Sequence, residues 1–220
     1  MNISDEAIVL NTTPLRDNSL VVHTLSREWG RRSFICRTAH RAFLQPLNIL
    51  ETVVTQNPKS DLWRISALSC AHPLGGIRRS AGKNAISMFI AEVLLRSLQE
   101  GSRDEGLYDW CISRILLLDS MEGNFASFHV RFLLDYCAAM GFEPTWESLL
   151  PFMDSPLGEC TGNLPTLARS FIEASPADSM LIPLDGKTRS EVCRRLLKYL
   201  EFHLETPLHV RSLDVLMELF

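Results

Sequence analysis

The sequence predicts an α+β protein in two parts, a small five-stranded β-barrel followed by an all-α domain. Short runs of β-forming residues, separated by turn residues, fill the chain up to about residue 70. After His72–Gly76 the apolar spacing changes from two to about three and a half residues, which is the helical period. The charge also changes: residues 1–83 carry eleven Lys/Arg and six Asp/Glu, and residues 84–220 carry eleven and twenty. We therefore place the domains at residues 1–74 and 75–220.

The first part contains five candidate strands. Turn residues such as Gly30 and Pro46 separate them, and apolar and polar residues alternate most clearly around Trp63, Ile65 and Ala67. Short strands at this spacing are typical of a small closed barrel of the OB type. The expected strands are Glu6–Thr12, Ser19–Leu25, Arg32–Thr38, Leu47–Thr55 and Leu62–Leu68.

Apolar residues at helical spacing dominate the second part. The strongest stripe runs from Phe125 to Met140. A later helix is expected to begin at Thr188, with Glu191 as the partner in a capping box. Between these helices, residues 141–187 contain six prolines and four glycines. We expect an irregular insertion there, with one short helix near Leu164–Ala174.

Composition and motifs argue against several classes of protein. The acidic start Met1–Glu6 is followed by no apolar leader, and the run Ile115–Leu118 is far shorter than the ~20 residues of a membrane span. We therefore expect a cytoplasmic protein that does not enter a membrane. No two of the six cysteines lie within four positions, and no nucleotide loop, histidine pair or nucleophile motif is present. The sequence thus predicts no metal, no cofactor and no enzymatic activity.

Cationic and aromatic residues interleave around the second turn and the third strand of the predicted barrel. Guanidinium groups bind phosphate oxygens through paired hydrogen bonds, and aromatic faces stack on the bases of single strands. Three further cations follow where the barrel meets the helices, and they would extend a phosphate path. The alternative interpretation is an ordinary solvated rim with core aromatics. The predicted DNA contacts are Arg27, Trp29, Arg31, Arg32, Arg37, His40, Arg41, Phe43, Arg78, Arg79 and Lys83.

An ordered series of segments resembles the RecO family of bacterial recombination mediators. A first strand is followed by a polar turn, and the second strand ends in a turn in which a glycine precedes a basic residue, here Gly30 and Arg31. The resemblance covers most of residues 6–142 and resumes at Ser212–Leu216. The segments that carry it are Ala7–Leu10, Leu20–Arg31, Leu44–Leu47, Leu62–Ile65 and Phe128–Phe142.

This resemblance implies an OB-fold and a helical domain that bind single- and double-stranded DNA and anneal complementary strands. It also implies contacts with single-strand-binding protein and with RecR, and a role in loading the RecA recombinase. Many family members carry a four-cysteine zinc module after the helix that ends near Gly141. Here that region offers only Cys160, so no zinc is inferred.

The tail of single-strand-binding proteins is acidic and apolar, which predicts a hydrophobic pocket with a few cations. The candidate partner-binding residues are Arg96, Arg131, Arg194, Arg195 and Lys198. Two other functions stay open from the residues alone. One is a different OB-type module that binds RNA or another polyanion, and the other is an enzyme whose site lies in the irregular insertion.

Overall fold

The computed structural model describes residues 2–16, 18–57, 59–153 and 164–220. Its first part is a closed barrel in which the strands follow the order β1-β2-β3-β5-β4. Neighbouring strands are antiparallel except β3 and β5, which pair in parallel at Phe34–Trp63 and Ile35–Arg64. The predicted OB-type barrel is thereby confirmed. The strands are β1 (Asn2–Arg16), β2 (Ser19–Ser26), β3 (Gly30–Arg37), β4 (Ile49–Thr55) and β5 (Trp63–Cys70).

The described chain after residue 74 is mainly helical, which confirms the all-α second part. None of its helices has the length and apolar character that a membrane crossing requires, within the described ranges. The helices are α1 (Gly75–Arg79), α2 (Ala81–Ser97), α3 (Glu105–Ser120), α4 (Phe128–Ala139), α5 (Trp146–Met153), α6 (Leu164–Glu173), α7 (Pro176–Ser179), α8 (Gly186–Leu204) and α9 (Ser212–Leu219).

The expected start of α8 at Thr188 is wrong. The helix begins at Gly186, and the Asp185 carboxylate caps it by accepting a hydrogen bond from the Thr188 backbone amide at 2.7 Å. An aspartate is a strong N-cap because it accepts this amide hydrogen and also complements the helix dipole. Glycine at the first helical position leaves room for the Phe220 carbonyl oxygen, since a Cβ on Gly186 would lie 2.5 Å from it.

The segment 141–187 is more regular than the sequence predicts. The expected short helix is present as α6, but α5 and α7 were not anticipated. The prediction of an irregular segment depended on its prolines. A proline is compatible with the first turn of a helix, however, and Pro176 begins α7. Cys160, the cysteine considered for a zinc module, lies outside the described residues.

The outer surface of the barrel packs into the core of the helical part. The interior of the barrel forms its own apolar cluster, but outward-facing residues of β1, β2 and β4 pack with the helices. Gly30 shows how closely the two parts approach: its φ is +64°, and a Cβ there would lie 1.9 Å from the Ser102 carbonyl oxygen. An isolated barrel would therefore expose apolar surface that the whole chain buries. The shared residues are Ile8, Leu10, Leu25, Leu47 and Ile49.

Candidate nucleic-acid interface

The outward-facing side chains of β2 and β3 form a mainly polar surface. Phe34 and Cys36 are buried inside the barrel, so the side chains between and beside them point outward, because strand residues alternate. In OB barrels the surface of the second and third strands binds oligonucleotides. We define the β2–β3 face as these outward residues with their neighbours on β1 and β5: Thr13, Arg16, Ser19, Val21, His23, Ser33, Ile35, Arg37 and Arg64.

Three arginines lie on this face. Arg16 and Arg37 are paired with Ser19 from opposite sides of β2, and Arg64 is paired with Ile35. All three are exposed, and none forms an ion pair with another residue in the part of the chain that the structure describes. Their guanidinium groups are therefore available to phosphate oxygens. The sequence pattern predicts Arg37 but not Arg16 or Arg64, because only the strand register reveals that the three share one face.

A row of hydrogen-bonding side chains crosses the centre of the β2–β3 face. The His23 imidazole lies between two hydroxyls, with Nδ1 2.9 Å from Ser33 Oγ and Nε2 3.4 Å from Thr13 Oγ1. Burial of the half-buried ring lowers its pKa below the usual 6.5, Arg31 lowers it further, and Glu100 opposes both. The row is thus uncharged at neutral pH and lies among the arginines of the face.

The 3-10 turn Thr38–Phe43 continues the basic surface at one end of the barrel. Its Thr38 amide donates to the Asn18 carbonyl at 3.2 Å, which holds the turn beside the β1–β2 connection. Arg41 is exposed, His40 is half-buried, and the Phe43 ring is 40% exposed. The predicted contacts on this turn therefore lie close to Arg37, where a cation and an exposed ring can meet a phosphate and a base.

Two arginines of the predicted cluster form ion pairs with carboxylates of the protein itself. Arg27 pairs with Glu6 at 3.2 Å and Asp109 at 2.8 Å, and its guanidinium lies 4.5 Å from the centre of the Tyr108 ring. Arg31 pairs with Glu100 at 3.5 Å. Because these contacts join the barrel to the helical part, both arginines have an evident structural role.

Arg32 and Trp29 belong to an aromatic group at the barrel wall. The Arg32 guanidinium stacks 3.6 Å from the Trp63 ring centre and donates to the Asp61 carbonyl at 3.1 Å. Trp29 is half-buried, with its ring 5.4 Å from that of Trp63 and 5.8 Å from that of Phe34. Trp29 therefore serves mainly to fill the barrel, and Phe43 is the better stacking candidate.

Two cations that the sequence assigned to a phosphate path have internal partners. The Arg78 guanidinium donates to Asn84 Oδ1 at 2.8 Å and to Asn48 Oδ1 at 2.7 Å. Lys83 is only 4% exposed, and its ammonium donates to the carbonyl oxygens of Asp119, at 2.9 Å, and Met121. The side chains of Arg78 and Lys83 therefore have a structural role. Arg79 is exposed and pairs with no other described residue.

An apolar cleft of about 430 Å³ lies between α3, α4 and α7. Arg131 lies at this cleft and pairs with Asp135 at 2.5 Å, and Arg114 approaches the same carboxylate at 3.7 Å. Two arginines share one carboxylate, so the cleft keeps a positive charge. Arg131 is among the partner-binding residues predicted from the sequence, whereas Arg114 is not. The apolar lining comprises Leu117, Met121, Phe128, Phe132, Met180 and Leu181.

The other predicted partner-binding residues lie apart from this cleft. Arg195 is buried, pairs with Glu191 at 2.8 Å and donates to the Phe152 carbonyl at 2.7 Å, which gives it a structural role. Arg194 and Lys198 border a shallow groove on α8. Arg96 borders a different cleft of about 710 Å³, which two carboxylates also line. The five predicted residues are thus spread over three surfaces.

Several titratable groups have strongly shifted pKa values because they are buried in the helical core. Burial lowers the pKa of His129 to about 3 and raises those of the Cys111 and Cys137 thiols to about 12. None of these groups lines the clefts named above. Their pKa shifts therefore reflect packing and give no support to the enzyme alternative.

Family models match both parts of the chain. The family model described as "Recombination protein O N terminal" matches residues 1–74, and "Recombination protein O C terminal" matches residues 78–148. Proteins named DNA repair protein RecO are similar over nearly the full length. The relative from Phocaeicola vulgatus is 30% identical and that from Bacteroides fragilis 29%, each over 97% of both chains. The relative from Flavobacterium psychrophilum is 27% identical over 100% of both.

These matches agree with the barrel-and-helix architecture and with the ordered segments in the sequence. The match at 30% identity covers both chains almost completely, and two family models cover the barrel and the first helices. The chain belongs to the RecO family of DNA repair proteins.

Proposed function

We propose that this chain is a recombination mediator that binds single- and double-stranded DNA through the β2–β3 face. It anneals complementary strands and, with RecR-type and single-strand-binding protein partners, helps to load a recombinase. This role places it in the cytoplasm, with the bacterial chromosome. The observation that carries the proposal is the set of three exposed arginines, Arg16, Arg37 and Arg64, on the oligonucleotide-binding surface of an OB barrel.

The chemistry of the face fits a mediator. Phosphate contacts by arginines are individually weak and are lost as salt rises, so a strand held this way can be passed on. A mediator makes and breaks no covalent bond, so it needs no catalytic group at the face. Thr13, His23 and Ser33 add hydrogen-bonding groups beside these arginines.

The direct test is strand annealing by the purified chain without nucleotide or added metal. We expect complementary oligonucleotides to anneal at least about tenfold faster with the protein than without it, because the basic face concentrates both polyanions. Competition with RNA of the same sequence separates this function from that of an RNA-binding module. No acceleration, or clearly preferred binding of RNA, would contradict the proposal.

We further infer that the apolar cleft between α3, α4 and α7 receives the tail of a single-strand-binding protein. Such a tail combines carboxylates with apolar side chains, and the cleft combines an apolar lining with Arg114 and Arg131. The shallow groove beside Lys198 is less enclosed by apolar groups and is the weaker candidate. Leu117 and Leu181, which are 44% and 67% exposed, leave apolar surface uncovered for a partner.

We expect the double variant Leu117→Ala/Leu181→Ala to bind a labelled acidic, apolar peptide about 30-fold more weakly, since each truncation removes apolar contact worth about 1 kcal/mol. Fluorescence anisotropy with a synthetic tail peptide measures this affinity. Leu150→Ala/Leu219→Ala is the matched control, because both leucines are exposed and lie outside the cleft. Equal peptide affinity in the two double variants would place the tail elsewhere.

A further inference from the structure

His23 is the titratable group at the centre of the β2–β3 face. It is paired with Asn11 on β1 and with Ser33 on β3, so its ring lies between two neighbouring strands. The hydroxyls of Thr13 and Ser33 stand at its two nitrogens, 3.4 and 2.9 Å away. The charged groups that face the ring among the described residues are Arg31 and Glu100, which also pair with each other.

Protonation of the His23 ring changes the charge and the hydrogen-bond donors that Thr13, His23 and Ser33 present to a ligand. A neutral imidazole has one N–H and one lone pair, so the hydroxyl at the unprotonated nitrogen must donate its hydrogen bond to the ring. An imidazolium donates from both nitrogens, and the hydrogens of both Thr13 and Ser33 then become free to point outward. One proton therefore adds a positive charge and one further hydroxyl donor to the face.

A phosphate is the ligand that uses both changes. It accepts hydrogen bonds only, and charge-assisted bonds to it are stronger than neutral ones. Arg31 and partial burial keep His23 neutral in the free protein. A phosphodiester placed over the row supplies the opposite charge and thereby favours the imidazolium.

We propose that His23 is a nucleic-acid contact that takes up a proton when a phosphate backbone binds the β2–β3 face. The inference rests on the proposed function and adds a specific residue and a linkage to it. Because linkage is reciprocal, if DNA favours the protonated ring, a lower pH must favour DNA binding. Uptake is at most one proton per site, so affinity can rise by at most about tenfold for each pH unit.

The test compares the full-length protein with the His23→Gln variant, which keeps hydrogen-bonding groups but does not titrate. Binding of a fluorescent single-stranded oligonucleotide is measured at constant salt at about pH 7.5 and about pH 5.5. We expect affinity to rise about fivefold or more in the wild type and less than about twofold in His23→Gln. Calorimetry in two buffers of different ionisation enthalpy should show proton uptake that the variant lacks.

The matched control is His209→Gln, since His209 is exposed on the helical part and lies outside the β2–β3 face. We expect this variant to keep most of the wild-type response to pH. An undiminished response and undiminished proton uptake in His23→Gln overturn the inference while leaving the proposed function intact. Absence of oligonucleotide binding by the wild type at both pH values overturns the proposed function and the inference together.

Discussion

Replacing Lys83 by methionine is expected to lower the free energy of unfolding by about 3 kcal/mol, since hydrogen bonds to buried charged groups contribute about 1.5–3 kcal/mol each. The ammonium group is almost fully buried and donates to the carbonyl oxygens of Asp119 and Met121 at the end of α3. Without it, two carbonyls lose their donor, and the helix loses a cation that complements the negative end of its dipole.

Arg79→Met is the control for Lys83→Met. Arg79 is exposed and pairs with no described residue, so its replacement should change stability by less than about 0.5 kcal/mol. Urea denaturation followed by circular dichroism compares both variants with the wild type. A Lys83→Met protein that is as stable as the wild type but binds DNA with a reduced salt dependence would restore the phosphate role that the sequence predicts.

The barrel and the long helices were predictable from the sequence because they carry local periodic signals. Alternation around Trp63 and Ile65 lies within β5, and the stripe from Phe125 to Met140 contains α4. The start of α8 was misplaced because Asp185 and Thr188 are both good caps, and packing of Gly186 against the Phe220 carbonyl favours the earlier start.

The candidate site was only partly predictable from sequence. Arg37, His40, Arg41 and Phe43 follow one another closely and form a visible cluster. Arg16 and Arg64 are distant in sequence and join them only through the strand register of the barrel.

Burial and internal partners separate some of the predicted cations from solvent. Lys83 has the sequence context of a surface cation, yet its partners Asp119 and Met121 come from the end of a different helix. Arg27 is likewise recruited by Asp109, which lies far along the chain. A cluster of Lys and Arg in the sequence therefore predicts a local positive charge. Whether each cation can bind a ligand depends on its contacts within the folded protein.

Removing the three arginines of the β2–β3 face should cause a large loss of DNA affinity. If Arg16, Arg37 and Arg64 each contact a phosphate, the triple alanine variant loses about three contacts, and we expect about 100-fold weaker single-strand binding at moderate salt. The effect should be similar for all sequences, since phosphate contacts carry no base information. Stability should change little because all three side chains are exposed.

The control must carry the same change in net charge. Arg96→Ala/Arg169→Ala/Arg211→Ala removes three exposed arginines of the helical part, which are not on the β2–β3 face. Long-range attraction would weaken both triple variants alike, whereas direct contact weakens only the first. Thermal melts of both variants verify that they remain folded.

The salt dependence of oligonucleotide binding tests the role of the β2–β3 face most directly. Wild type and both triple variants are titrated with a fluorescent single strand at several salt concentrations, and the logarithm of affinity is compared with the logarithm of salt. We predict a slope about 2 units flatter for the Arg16/Arg37/Arg64 variant, at roughly 0.7 per phosphate contact, and a wild-type slope for the control. A wild-type slope in the Arg16/Arg37/Arg64 variant, or equal flattening in both variants, would contradict phosphate binding by this face.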